Sequence, residues 1–319
     1  MIDPKNLPLD IEEQRKWLQE HKQRTGLSWT QLANRLDMKG STLSLFATGK
    51  YNAPGDAIAE KIFRFRQTLA SQTTMQREGP EIPKYFPTET SNQLIYLLRW
   101  AQRGRIVVGA LAAGLGKTQT ADYYRECNSN VFKVTMRPST AGLFNMQHTV
   151  LRALGQRGAS GTSEILTSMI IDRVRDLDHP LLIIDEAQHL TVKAIDEIRS
   201  WHDEAGLGIA LLGNESVQQQ LDGGSRSPAF AQIFSRISLR HIQLAPQSAD
   251  VEALLEAWDI TSEKVCAEIH RLAQLPGALR GVTFTLELAH MLAAGDKQEL
   301  ELAHVQDAWA QLSSRMVLS

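Results

Sequence analysis

Cysteine is scarce in this chain of 319 residues, which contains only Cys127 and Cys266. Two thiols cannot build a disulfide scaffold or supply a zinc site made of four cysteines, so both are excluded. We interpret the two cysteines as ordinary core or surface residues. This composition is typical of a reducing compartment, and we expect the protein in the cytoplasm.

Long apolar runs are also missing. The longest uncharged apolar stretch, Ile106 to Gly116, has 11 residues and ends at Lys117, whereas a membrane-spanning helix needs roughly 18. Asp3 and Asp10 interrupt the N-terminal region, which has no continuous apolar core. We therefore expect neither a membrane partner nor a secretory signal. With 43% hydrophobic and 22% charged residues, the composition is typical of a globular protein.

Net charge is small, at −2, but it is unevenly distributed. Residues 21–70 contain eight Lys or Arg and three Asp or Glu, an excess of five positive charges. A basic segment on a mildly acidic body favours contact with a polyanion, although a solvated helix face gives the same count.

The stretch 71–91 contains Pro80, Pro83 and Pro87 and many Ser and Thr residues, which is typical of a linker. Before it lies a helical unit, after it strand and helix patterns alternate, and the last part is helical. We predict a helix-turn-helix domain, a linker, an α/β core and a C-terminal helical domain over residues 1–75, 76–91, 92–245 and 246–319.

Short apolar runs in the core predict buried strands. They are 105–110, 131–135, 181–185, 209–213 and 241–244. The amphipathic stretches between them are 118–127, 139–155, 162–177 and 191–204. This alternation predicts a parallel sheet flanked by helices. From residue 248 the apolar spacing is helical, as in Val251, Leu254, Leu255 and Trp258.

Residues 26–50 have a helix-turn-helix pattern, with helices predicted over Thr30–Leu36 and Thr42–Ala47 and Ser41 as the cap of the second. Leu32, Ala33, Leu36, Leu43 and Phe46 are predicted to face inward. Short polar and basic side chains face outward and suit contact with duplex DNA: Lys39, Ser41, Thr42 and Ser44, beside Gly40. The alternative is a three-helix bundle that contacts protein.

The first strand is followed by LAAGLGKT, residues 111–118, which is similar to the phosphate-binding pattern G-x-x-x-x-G-K-[ST]. Gly114 and Gly116 allow consecutive N–H groups to turn toward phosphate oxygens. Lys117 supplies a cation, and the Thr118 hydroxyl can ligate Mg²⁺. We predict an ATP and Mg²⁺ site whose nucleotide-binding residues are Gly114, Leu115, Gly116, Lys117, Thr118 and Gln119. The first glycine of the pattern is replaced by Leu111, and we expect function to survive because that position only shapes the entry to the loop.

A second motif supports this interpretation. The strand 181–185 ends in Asp185 and Glu186, and two adjacent acids after four apolar residues are costly unless they serve a metal or a water. We predict that Asp185 holds Mg²⁺ and that Glu186 is the general base for an attacking water. Asn214 follows a later strand, where it can orient that water, and Arg236 and Arg280 can stabilise charge on the transferring phosphoryl group.

Taken in order, LAAGLGKT, LLIIDEAQHL, LLGN, FSRI and PGALR resemble the AAA+ ATPases. The chain resembles more closely the family of the bacteriophage Mu transposition protein B, to which the Tn7 target-selection ATPase is related. The resemblance implies an AAA+ P-loop core with a helical C-terminal lid. It implies an ATPase that binds duplex DNA with little sequence specificity, polymerises into helical filaments on it and activates a DDE transposase, inside a bacterial host.

The resemblance also assigns roles. Asn214 matches sensor 1 and Arg280 matches sensor 2, while Arg236, or else Arg226, is the finger that reaches a neighbour's ATP. A finger acting in trans implies weak hydrolysis until the protein assembles. Lys133 and Arg137 are expected to face the duplex.

Two other functions stay open at this point. The letters DEAQ at 185–188 are similar to a helicase motif, but such helicases need two RecA-like domains and residues 92–245 supply one. The other is a helix-turn-helix repressor that senses nucleotide without turning it over.

Overall fold

The computed structural model describes residues 10–77, 85–217, 219 and 235–314. Contacts between residues divide the chain into two compact units, Met1–Gly79 and Pro80–Ser319. Helix α4 ends at Arg77 and helix α5 begins at Glu89, so helices overlap both ends of the stretch expected to be a linker. The bounds of the four segments given above stay a prediction.

The first unit consists of helices within residues 10–77: α1 (Ile11–Thr25), α2 (Trp29–Arg35), α3 (Gly40–Ala47) and α4 (Asp56–Arg77). Asp10 caps α1, and a capping box between Ser28 and Gln31 starts α2. The five residues predicted to face inward are all buried, in a common core with residues of α1 and α4: Leu18, Leu32, Ala33, Leu36, Leu43, Phe46, Ala47, Ile58, Ala59 and Ile62.

The prediction that Ser41 caps α3 is wrong. The helix begins at Gly40, Lys39 is the cap residue, and no side chain bonds the free N–H groups. The reason is close packing, since a Cβ on Gly40 would lie 3.3 Å from the Cα of Thr30 in α2. Glycine therefore lets α3 start against α2, and Ser41 falls in its first turn. Among the residues predicted to face outward, Lys39 and Ser41 are exposed and Thr42 and Ser44 are half-buried.

The second unit is built on a parallel sheet of five strands in the order β2-β3-β4-β1-β5. The strands are β1 (Ile106–Leu111), β2 (Val131–Thr135), β3 (Leu181–Asp185), β4 (Gly208–Gly213) and β5 (Ile237–Gln243). Helices α5 (Glu89–Ala101), α6 (Lys117–Cys127), α7 (Leu143–Ala153), α8 (Ser163–Arg175) and α9 (Val192–Ala205) cover the sheet. β1, β3 and β4 are fully buried. The predicted parallel sheet between helices is confirmed.

Two elements differ from expectation. β5 begins at Ile237, four residues before the predicted start, because an edge strand accommodates polar residues such as Ser238 and Arg240. Helix α5 has no counterpart among the predicted helices, since it starts in the polar segment after Pro87. Thr88 caps it with Ser91, and it buries Leu94, Leu97 and Leu98 against the sheet.

The last helices of the described chain are α10 (Ser248–Ala257), α11 (Glu263–Ala273), α12 (Ala278–Asp296) and α13 (Leu302–Ser314). They enclose a core of their own around Leu254, Trp258, Ile269 and Leu286, which confirms the predicted helical C-terminal part. No helix among the described residues is both long and apolar enough to cross a membrane.

A buried carboxylate joins these helices to the sheet. Asp250, on α10, is fully buried, and its oxygens accept from the N–H of Thr90 at 2.8 Å and from the Thr90 hydroxyl at 2.5 Å. Gln243, at the end of β5, donates to the same hydroxyl at 2.6 Å. These bonds satisfy polar groups that would be costly to bury unpaired, and they fix α10 to the sheet and to the start of α5.

Candidate functional site

The candidate site lies at the carboxyl ends of β1, β3 and β4, which are neighbours in the sheet. Parallel strands all end at the same edge, and ligands of open α/β sheets bind in the crevice outside it. The loop 112–116 leaves β1 there, Asp185 ends β3, and Asn214 follows β4. The topology therefore brings together three motifs that are distant in sequence.

The loop after β1 depends on two glycines. Gly114 has φ 87° and Gly116 has φ 77°, a region that residues with a Cβ adopt only at a cost. Gly116 is the cap residue of α6, and no side chain bonds the first N–H groups of that helix. These N–H groups and the positive end of the helix dipole form an anion site of the kind that binds phosphate.

Leu111, which stands where the pattern has its first glycine, is the final residue of β1 and is fully buried. It packs with Leu115 and Ala278. Its backbone is that of a strand, so the position does not require glycine. The side chain instead fills the space between the loop and the start of α12, which explains why the departure leaves the loop intact.

The Leu111→Ala variant is expected to lower the free energy of unfolding by about 3 kcal/mol, since it removes a buried side chain and leaves a cavity. Chemical denaturation measures this loss. A matched change, Leu45→Ala at a side chain that is 44% exposed, should cost much less. Equal losses for the two variants would contradict the packing role of Leu111.

Lys117, the first residue of α6, is only 8% exposed. Its Nζ lies 3.9 Å from Oε1 of Glu186. The pKa of Lys117 is lowered, mainly by burial. The charges of Glu186 and Asp185 raise it without offsetting the burial, and Arg280 lowers it further. An anion placed against this ammonium group would favour its charged form, so the site suits a ligand with several negative charges.

Thr118 and Asp185 meet directly. The Thr118 hydroxyl donates to Oδ2 of Asp185 at 2.9 Å, and the N–H of Glu186 donates to Oδ1 at 3.0 Å. Asp185 is 1% exposed. A hydroxyl beside a buried carboxylate fits Mg²⁺, which prefers oxygen ligands and takes one or two carboxylates together with phosphate oxygens. These two residues could hold the metal ion.

Glu186 has a left-handed backbone, with φ 56° and ψ 41°. For a residue with a side chain this conformation costs about 1 kcal/mol or more, and such strain is often kept at functional sites. One oxygen of its carboxylate faces Lys117, and the other accepts from the side-chain amide of Gln188. The side chain is 37% exposed, so solvent water reaches it.

The loop also touches the C-terminal helices. A Cβ on Gly114 would lie 2.1 Å from the carbonyl oxygen of Gly277 and 3.3 Å from the Cβ of Arg280. Gly277 is the cap residue of α12, and Arg280 lies in the first turn of that helix. The loop 112–116 and the start of α12 are therefore in backbone contact.

Gly114→Ala is expected to weaken nucleotide binding at least tenfold, because the new methyl group collides with a backbone carbonyl. A rearrangement of side chains cannot relieve this collision. A left-handed backbone also makes alanine costly without any collision, and two other glycines show that effect alone. At Gly116 (φ 77°) and Gly155 (φ 88°) an added Cβ would meet nothing within 4 Å. Gly155→Ala should affect stability alone, by about 1–2 kcal/mol. A Gly114→Ala protein that binds a fluorescent ATP analogue like the wild type would contradict this account.

A cavity of about 650 Å³ opens at this edge of the sheet. Most of the predicted site residues line it: Gly114, Leu115, Gly116, Lys117, Thr118, Gln119, Glu186, Asn214 and Arg280. The side chain of Asp185 lies behind Thr118. The sequence motifs did not identify the cavity's other end, formed mainly by residues before α5 and by the C-terminal helices: Tyr85, Phe86, Leu254, Trp258, Leu279, Thr283, Phe284 and Glu287.

Arg236 is placed differently from the other predicted site residues and does not line the cavity. Its Nε donates to Oδ1 of Asp203, on α9, at 2.7 Å. Burial raises the pKa of Asp203, but hydrogen bonds and charges of Arg236 and Arg199 outweigh that effect and lower it. The alternative finger residue, Arg226, lies outside the described residues.

The two expected DNA contacts on the core differ. Arg137 is exposed at the start of a short 3-10 turn, Pro138–Thr140, and its role stays a prediction. The side chain of Lys133 is 7% exposed, and its ammonium group donates to Oδ2 of Asp122 at 2.7 Å. Lys133 therefore lies at the candidate site and is paired there, and its contact with a duplex stays a prediction.

Comparison with known families gives two matches. A model of the family described as "Mu B transposition protein, C terminal" matches residues 235–312, and a model described as "AAA domain" matches residues 101–221. Among curated relatives, the ATP-dependent target DNA activator B of Escherichia phage Mu is 31% identical over 286 residues, which are 89% of this chain and 90% of the relative. The protein of the same description from Escherichia phage D108 is 30% identical with the same coverage.

A third relative, the Mu-like prophage FluMu DNA transposition protein B of Haemophilus influenzae, is 28% identical and covers 84% of this chain and 93% of its own. Among solved structures, Cdc6p from Pyrobaculum aerophilum matches with a TM-score of 0.54 and 17% identity, over 72% of this chain and 69% of that one. The Drosophila ORC bound to DNA matches with a TM-score of 0.53 and 14% identity, over 76% and 65%. At these identities the structures support the AAA+ fold alone.

Proposed function

Because this chain belongs to the Mu B family of transposition proteins, we propose that it is an ATPase that binds target DNA in its ATP state and delivers that DNA to a DDE transposase in the cytoplasm of a bacterial host. One observation carries the proposal: Lys117, Thr118, Glu186, Asn214 and Arg280 line a single cavity at the carboxyl ends of the strands. The names of its relatives, ATP-dependent target DNA activators, support the same role.

In the proposed reaction the loop 112–116 and Lys117 bind the phosphates of ATP. Thr118 and Asp185 would hold Mg²⁺, which neutralises phosphate charge when it is bound. Glu186 takes a proton from a water whose oxygen bonds to the γ-phosphorus, while the bond from that phosphorus to the β–γ bridging oxygen breaks. The products are ADP and phosphate, and the proton first resides on the Glu186 carboxylate.

Asn214 and Arg280 have supporting roles in this proposal. Asn214 follows β4, and its Oδ1 accepts a hydrogen bond from the backbone N–H of Ser216 at 2.9 Å. Its amide nitrogen is therefore the group that can orient the attacking water. Arg280 stabilises charge on the phosphoryl group. Because Arg280 lies on α12, nucleotide binding would also fix the C-terminal helices against the loop.

We further propose that hydrolysis is weak in the monomer and rises when the protein assembles on DNA as a filament. Arg236 supports this idea, since it does not line the cavity of its own chain. An arginine that acts on a neighbour's ATP makes each site incomplete until a second copy arrives. The rate of hydrolysis per protomer should then rise with protein concentration in the presence of duplex DNA.

The N-terminal unit is proposed to contact duplex DNA through the exposed face of α3. Lys39 and Ser41 are exposed there, and residues 21–70 have an excess of basic side chains. Contacts of this type reach phosphates and carry little sequence information. Arg137 is proposed as a further contact from the second unit.

DNA binding in the presence of ATP is therefore expected to be strongly salt-dependent. Affinity should fall about a thousandfold between 50 and 200 mM salt if about six phosphates are contacted, and Lys39→Ala should reduce the slope of log K against log salt by about one. Fluorescence anisotropy of labelled duplexes of unrelated sequence measures both. The exposed Lys16 of α1 provides the control variant Lys16→Ala, and an equal change of slope in the two variants would contradict the assignment of α3.

The experiment that tests the proposed function compares DNA binding of the wild-type protein with ATP and with ADP, both with Mg²⁺. We expect cooperative binding and filaments in electron micrographs with ATP, and dissociation with ADP. Protein that stays monomeric on DNA in ATP would refute the proposal. Tight, sequence-specific binding that nucleotide modulates without turnover would instead favour a nucleotide-sensing repressor.

A further inference from the structure

Lys133 occupies an unusual position in the sheet. It lies on β2 two residues after Val131, so both side chains point to the same face. Val131 packs there against Ala121 and Tyr124 of α6. An apolar side chain would continue this packing, yet the chain places an ammonium group with 7% exposure at the position.

The ammonium group of Lys133 faces three groups of the candidate site. Its Nζ lies 2.7 Å from Oδ2 of Asp122, 3.4 Å from the carbonyl oxygen of Thr118 and 3.8 Å from Oδ2 of Asp185. Asp122 lies one turn after Thr118 on α6. Lys133 therefore connects β2 to the first turn of α6 and to the end of β3.

These contacts fix the carboxylate of Asp185. Oδ2 lies between the Thr118 hydroxyl, at 2.9 Å, and the Lys133 ammonium group, while Oδ1 is held by the N–H of Glu186. A buried ion pair can often be replaced by apolar residues without loss of stability. Stability alone therefore does not explain why a lysine occupies this position. Its contacts converge on the two residues that could hold Mg²⁺.

We propose that Lys133 is a positioning residue for the divalent cation: it holds Asp185 and the turn that carries Thr118 in the arrangement in which both can act on Mg²⁺. The inference rests on the proposed nucleotide site. It also assigns Lys133 a function different from the DNA contact expected from sequence. Partners of this kind, which orient metal ligands without touching the metal, commonly change metal affinity by roughly 10–100-fold when they are removed.

The test measures how Mg²⁺ tightens the binding of a fluorescent, non-hydrolysable ATP analogue to the full chain. In Lys133→Met we expect unchanged affinity in EDTA and a roughly tenfold higher Mg²⁺ concentration for half-maximal tightening. The single variant also adds one net negative charge near the site, which by itself would attract Mg²⁺. The double variant Lys133→Met, Asp122→Asn keeps the net charge of the wild type, and it too should need more Mg²⁺.

Lys264→Met, at an exposed lysine of α11, is the matched control and should behave like the wild type. Thermal unfolding shows whether each variant is folded; if Lys133→Met is not, because it leaves the Asp122 carboxylate without its partner, the double variant, which removes that carboxylate as well, provides the test. A requirement that is unchanged or lower in the folded variants overturns the proposal. Wild-type protein that binds no analogue at all would instead refute the proposed function.

Discussion

Glu186→Gln is expected to lower kcat for ATP hydrolysis by roughly a hundredfold to ten-thousandfold, the range that a general base contributes. Glutamine has the same shape but cannot accept the proton of the attacking water. The phosphate-binding loop, Lys117 and the pair Thr118–Asp185 are untouched, so ATP should still bind. A protein that binds ATP without hydrolysing it should stay on DNA longer than the wild type.

Phosphate release measures the turnover, and the dissociation rate of labelled duplex DNA measures the retention. Glu299→Gln, at an exposed glutamate before α13, removes the same charge away from the site and should change neither. If Glu186→Gln turned over ATP at the wild-type rate, Glu186 would not be the base. If turnover were lost but DNA retention stayed unchanged, hydrolysis would not control DNA release. That result would contradict the proposal that the protein holds DNA in its ATP state.

Arg236→Ala is expected to reduce DNA-stimulated ATP hydrolysis by about a thousandfold, which is the lower part of the range for an arginine supplied in trans. Within its own chain the guanidinium group is bonded to Asp203, at 2.7 Å, and does not line the cavity. The predicted loss therefore requires that Arg236 reach the ATP of a neighbouring copy. Binding of ATP to the isolated protein should be unchanged.

Mixing two inactive variants tests the action in trans. Arg236→Ala retains its nucleotide site, and Lys117→Ala retains its arginine, so a mixture on DNA should recover part of the activity that neither protein has alone. Asp203→Asn breaks the same ion pair but keeps the guanidinium group, and it should remain active. A mixture as inactive as its components would show that Arg236 does not act on a neighbour. Equal losses in Asp203→Asn and Arg236→Ala would point to a structural effect of the ion pair.

Local sequence patterns predicted the sheet, and they also pointed to the polar residues that lie together at its carboxyl edge. Buried parallel strands are continuous apolar runs, so β2 and β3 were predicted with the bounds that the structure has. The glycines of the loop and the two acids at the end of β3 also lie within single short motifs. Parallel topology then places the ends of these strands together without further information.

The apolar half of the site could not be predicted in this way. Phe86, Trp258 and Leu279 line the cavity, but in the sequence each is one more apolar residue in a helical or proline-rich segment. The burial of Lys133 could not be predicted for a related reason: a lysine in a short strand is ordinarily exposed, and only the position of α6 encloses this one. Leu111 was recognised as a departure, yet only its packing with Leu115 and Ala278 explains it.

Isothermal titration calorimetry of ATP into the folded wild-type protein, in buffer with Mg²⁺, tests the central claim most directly. We expect saturable binding of one ATP per chain, strongly weakened in Lys117→Ala and weakened in Gly114→Ala but not in Gly155→Ala. Wild-type protein that takes up no ATP, or that binds it equally well after Lys117→Ala, would contradict the assignment of this cavity as the nucleotide site.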